Sequence, residues 1–134
     1  MPAALPPARP TRPALAVPPL LALIAAVLAG CGQSPAPPRV EGGDAERGRA
    51  AIERFGCVAC HTIPGVPSYG ANVGPPLVHI AERGYLAGVL PTSPDNLVRW
   101  LRDPVGVDPR PAMPNLGLSP ADAADIAAYL YSKR

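Results

Sequence analysis

The stretch Cys57-Val58-Ala59-Cys60-His61 constrains this chain more than any other. Two cysteines three apart, followed at once by histidine, have the C-x-x-C-H spacing of c-type haem attachment. The spacing has a chemical reason. A helical or turn-like run of five residues presents both sulfurs to the two vinyl groups of one porphyrin edge, and the next residue brings an imidazole nitrogen to the iron. A bare C-x-x-C also serves thiol–disulfide enzymes and half zinc sites. A zinc site needs four ligands, and the other plausible ones, Cys31 and His79, lie far off in sequence. A thioredoxin-like pair wants alternating strands and helices around it, and no run of strands is legible. The immediate His61 favours haem c, one group held by two thioethers to Cys57 and Cys60.

The first thirty residues read as an export signal and not as fold. Arg9 and Arg12 make a positive start, Ala14 to Ala29 is almost wholly apolar, and small residues precede Cys31. Pro18-Pro19 within a short apolar run makes a poor permanent membrane span. Leu28-Ala29-Gly30-Cys31 resembles the lipobox of bacterial lipoproteins, in which the cysteine is acylated and becomes the new N-terminus. The competing reading is an ordinary secreted protein with a stray free cysteine. Cysteine arithmetic supports the anchor, because three cysteines become one lipid site and two thioethers. Cleavage removes two of the 12 basic groups and leaves 10 acidic ones balanced, so the formal charge of +2 belongs to the signal. No basic patch argues for nucleic acid. Residues 31–43, the lipidated cysteine and a Pro/Gly-rich stretch, then read as an anchor and stalk, with a reach of roughly 37 Å at about 3.1 Å per residue.

Residues 44–134 read as one domain. Asp44 caps a helix running to about Phe55, with Gly56 as its stop, and Gly48, Ile52 and Phe55 share one face. Gly48 is either a point of close helix approach or a tolerated surface glycine. Residues 62–92, rich in Gly and Pro, read as a loop wrapping a ligand, with one helical turn near 77–81. Ser93-Pro94-Asp95 opens a second helix that ends at Asp103-Pro104, with Leu97, Trp100 and Leu101 on one face. Residues 105–118 read as loop. Ser119-Pro120-Ala121-Asp122 opens the last helix, with Ala123, Ile126, Ala127 and Leu130 as its stripe. The expected class is all-α: three main helices, long loops and no strands. With a single Phe and a single Trp, such a domain is short of core. A covalently held haem would supply a large apolar plate at its centre.

With these motifs in view, residues 43–134 resemble the mono-haem class I cytochromes c. The resemblance rests on Gly43-Asp44-Ala45-Glu46-Arg47-Gly48, Gly74-Pro75-Pro76-Leu77, Ala112-Met113-Pro114 and the closing run from Asp125 to Leu130. The wording from Arg83 to Pro104 is similar to the cytochrome c domain appended to subunit II of some bacterial haem–copper oxidases. This resemblance implies residue roles. His61 and Met113 would be the axial ligands, although Met113 also reads as a gap-filling core residue and His79 is a rival ligand. The Pro75 carbonyl would accept from the His61 ring, and Leu77 would pack on the haem. Arg83 would pair with a haem propionate, and Trp100 would lie against the haem near the methionine sulfur. The ring of lysines through which many relatives dock is absent here, where Lys133 is the one lysine.

The expected function is single-electron transfer by a lipid-anchored, periplasmic protein, without enzyme activity. Its expected partners are membrane-bound, a terminal oxidase or a quinol-oxidising complex. Two alternatives are a fixed haem subunit of a larger redox complex, and a haem enzyme or gas sensor with a labile methionine ligand.

Overall fold

The computed structural model describes residues 38–68 and 73–133. Cys31, its signal sequence and most of the stalk lie outside the described residues. Among these, α1 spans Ala45–Arg54, a 3-10 turn Cys57–Ala59 and a second Ile80–Glu82. Two short strands follow, β1 Tyr85–Leu86 and β2 Leu90–Pro91, then α2 Pro94–Arg102, α3 Pro104–Val107 and α4 Pro120–Ser132.

The helix boundaries follow from their caps. The Asp44 carboxylate accepts from the Arg47 amide, Ser93 Oγ from the Asn96 amide and Ser119 Oγ from the Asp122 amide. Each cap satisfies an amide that has no carbonyl partner in the first turn. At the far end of α1, Phe55 caps and Gly56 turns the chain with φ 67°, a left-handed conformation that costs glycine nothing. That turn delivers Cys57 directly after α1.

α1 and α4 cross where Gly48 meets the α4 backbone. A Cβ built on Gly48 would stand 2.6 Å from the Asp125 carbonyl carbon and 3.0 Å from the Tyr129 Cβ, so only glycine lets the helices approach this closely. Gly48 is buried, which answers the two readings of it in favour of helix contact. Ile52, Ile126 and Leu130 are 0%, 1% and 1% exposed and form the centre of the core. Beside the crossing, Arg47 donates through Nε to Asp125 Oδ2 and through Nη2 to Asp125 Oδ1, both at 2.8 Å. The Asp44 amide also donates to Asp125 Oδ1 at 2.8 Å. Asp125 is buried, and this fork of donors offsets the cost of taking its charge from water. Its carboxyl is held below the usual carboxylate range, first by the Arg47 hydrogen bond.

Two parts of the sequence reading need correction. Among the described residues a short fourth helix, α3, accompanies the three main ones where loop was expected, because Asp103-Pro104 both ends α2 and starts α3. The Asp103 carboxylate accepts from the Gly106 amide, and Pro104 sits at the first helical position, where its missing N–H costs nothing. Strands are also present: β1 and β2 pair antiparallel, Leu86 opposite Leu90, around a turn at Ala87-Gly88-Val89. Ala87 and Gly88 carry φ of 50° and 77°. Two residues per strand is too short for any period to be legible in sequence. The packed part also begins before residue 44: Val40 is buried in the core, and the Gly43 amide donates to its carbonyl at 3.2 Å.

A candidate haem-binding cavity

A cavity of about 500 Å³ lies between α1, α2, α4 and the loops. That volume is within the range of about 300–1,000 Å³ usual for small-molecule and cofactor sites. Its walls are chiefly apolar: Ile52 and Phe55 from α1, Leu97, Trp100 and Leu101 from α2, Ile126 and Leu130 from α4. The faces read from periodicity in all three long helices therefore converge on one space.

Cys57, Cys60 and His61 enter this space from the 3-10 turn after α1, and Met113 enters from the loop before α4. The two cysteines are half-buried and not bridged to each other. Burial pushes the Cys57 thiol up, only partly offset by a backbone hydrogen bond, and the neighbouring Cys60 adds to the rise.

His61 is fixed in two ways. Its Nδ1 lies 2.8 Å from the Pro75 carbonyl oxygen. A carbonyl can only accept, so Nδ1 carries the proton and Nε2 keeps its lone pair, the form in which imidazole binds a metal. Behind the ring stands Gly74, where an added Cβ would come within 2.6 Å of Nδ1 and 3.0 Å of Nε2. The strap that carries Pro75 is laced to the cysteine motif. The Gly74 amide donates to the Cys60 carbonyl and the Leu77 amide to the Thr62 carbonyl, each at 2.8 Å.

The remaining expected residues are placed as follows. Pro75, Leu77, Arg83 and Trp100 all line the cavity. Arg83 spends its Nη2 on the carbonyl oxygens of Pro76 and of Val78, the latter at 2.9 Å. His79 is not part of the lining: it is exposed, with Nδ1 3.4 Å from Glu82. Sequence reasoning missed the hairpin, which contributes Tyr85, Leu86, Ala87 and Gly88 to the cavity wall. At the mouth, Val73 and Tyr85 are 81% and 63% exposed, so the rim is apolar and open to solvent.

A pair of thiols, a histidine in its metal-binding tautomer, a methionine and an apolar plate-sized space fit one chemistry, and the comparisons with known proteins agree. The family model "Cytochrome c" matches residues 45–133. The chain belongs to the cytochrome c family. Its haem is c-type, covalently bound through Cys57 and Cys60. The subunit called cytochrome c oxidase subunit 2 of Alkalihalophilus pseudofirmus is 34% identical over 89 residues, covering 66% of this chain. This cytochrome c chain spans only 25% of that relative's length. Among solved structures, cytochrome c2 from Rhodobacter sphaeroides superposes with a TM-score of 0.56 at 22% identity, covering 68% of this chain and 96% of that one. The likeness places this chain in the class I cytochrome c fold.

Proposed function

We propose that this c-type cytochrome is a lipid-anchored, periplasmic carrier that passes single electrons to a membrane-bound terminal oxidase. The observation that carries the reading is the convergence of His61 and Met113 on one cavity, with the cysteine pair at its wall. The haem, when bound, supplies an iron that changes by one electron between ferrous and ferric. His61 offers a neutral nitrogen held by Pro75, and Met113 offers a thioether, a soft ligand that favours the reduced metal. With His61 and Met113 both holding the iron, no position would be left for a substrate. The apolar walls exclude water, which limits the reorganisation that accompanies a change of charge.

Leu77 and Trp100 complete the walls, and Arg83, which also lines the cavity, would pair with an acidic group of the haem. Val73 and Tyr85 at the rim give a docking patch suited to an apolar counterpart, in keeping with a chain nearly neutral after loss of Arg9 and Arg12. The likeness to an oxidase subunit supports an oxidase as acceptor. It also supports the second reading, in which the chain is a fixed subunit of such a complex.

The membrane location rests on Leu28-Ala29-Gly30-Cys31. A tether confines the domain to a thin layer, where partners meet it at an effective concentration set by linker reach. Replacing Cys31→Ser is expected to move the protein to the soluble fraction with its visible spectrum unchanged. Oxidase reduction in native membranes should slow severalfold at equal total amount. A variant that stays on membranes would overturn the lipid anchor, and equal rates would leave the tether without a role.

A further inference from the structure

We infer that Arg83 is a positioning residue for His61, acting through the backbone strap Pro75–Val78, in addition to any pairing with an acidic group of the haem. Pro75 holds His61 through its carbonyl, yet neither Pro75 nor Pro76 has an N–H with which to fasten the strap. The strap is also tied to the cysteine motif at Gly74 and Leu77, on either side of the proline pair, and through the His61 ring itself. Arg83 adds a tie from the other side. One nitrogen, Nη2, has two N–H groups, and they go to the carbonyls of Pro76 and Val78. The first of these is the carbonyl next after the one that orients His61.

Arg83 is itself well founded. It follows the 3-10 turn Ile80–Glu82, its amide donates to the Ile80 carbonyl at 3.3 Å, and Ile80 is 3% exposed. The guanidinium thus links a core-anchored turn to the strap. A planar fork suits two carbonyls at fixed separation better than a flexible ammonium does. Nε and Nη1 take no part in the tie, so a charge role toward the haem is compatible with it.

The two roles predict opposite shifts in potential. Removing a nearby cation stabilises the oxidised, more positive iron and lowers the potential. Loosening the strap weakens the hydrogen bond from His61 Nδ1, which lowers the donor strength of the ring and raises the potential. Arg83→Lys keeps the charge and removes the fork, so it isolates the tie.

The inference rests on His61 as the iron ligand, and the experiment tests that separately. In the holoprotein, covalent attachment at Cys57 and Cys60 keeps the haem on each variant. Solvent exchange of the His61 Nδ1 proton, followed by NMR in the reduced state, should accelerate on the order of tenfold in Arg83→Lys and Arg83→Gln. The potential of Arg83→Lys should rise above that of the parent. Unchanged exchange in both variants would overturn the inference, and so would a potential that falls only when the charge is lost. A parent protein whose His61 ring lacks the hyperfine shifts of an iron ligand when oxidised would overturn the ligand assignment itself.

Discussion

Gly74 matters for the atom it lacks. A Cβ there would stand 2.6 Å from His61 Nδ1, on the atom that donates to Pro75. Gly74→Ala should therefore push the ring off its acceptor and cost about 1–3 kcal/mol as overpacking, read by thermal unfolding of the holoprotein. The same variant should disturb the low-spin visible spectrum, and a parent-like spectrum and stability would show that the ring has room. Asp125 is a second residue with a sharp consequence. Its carboxyl is held below the usual carboxylate range, first by the Arg47 hydrogen bond and then by the Asp44 amide. A depressed carboxyl contributes stability that is complete above its unfolded pKa and is lost as pH falls through the folded one. Acid unfolding below about pH 4 should thus be less steep in Asp125→Asn than in the parent, as measured by melting temperature against pH. Parallel curves would remove the pair from the acid response. Cys57, Cys60 and His61 were legible because they carry rare chemistry at a telling spacing, whereas Met113 entered through the resemblance to the class I cytochromes c. Gly74 and the Arg47–Asp125 pair were not read from the residues alone, because their roles depend on neighbours 13 and 78 positions away.

At the scale of elements, the crossing of α1 and α4 fixes the distance between the cysteine motif and the far wall of the cavity. Gly48→Val would drive a branched side chain into the Asp125 carbonyl, which is backbone and cannot swing aside. The expected loss is at least about 1–3 kcal/mol, measured by chemical denaturation. A neutral result would contradict the close approach. The three long helices were legible because serine, aspartate and proline mark their starts and apolar residues recur on one face. α3 was not, because four residues carry no period and its Pro104 is equally a stop signal for α2. The hairpin was hidden for the same reason of length, although Ala87-Gly88 stands at its turn. Its cost is that a wall of the cavity and part of the apolar rim could not be read from periodicity.

For the molecule as a whole, core and site are one object. Ile52, Ile126 and Leu130 are at once the most buried large side chains and part of the cavity wall, so the same packing supports fold and function. A small domain with few aromatic residues is organised around the space its cofactor fills. The shortage of core visible in the composition was therefore a true signal, and its cause lay in the C-x-x-C-H stretch. The central claim is that one haem, held on both faces by the protein, moves one electron at a time. A spectroelectrochemical titration of the purified holoprotein, with carbon monoxide added to the reduced form, tests it most directly. A single reversible one-electron wave, low-spin bands in both states and a reduced spectrum unaltered by carbon monoxide are the results expected. A high-spin reduced form that binds carbon monoxide would show an open iron position and contradict the account.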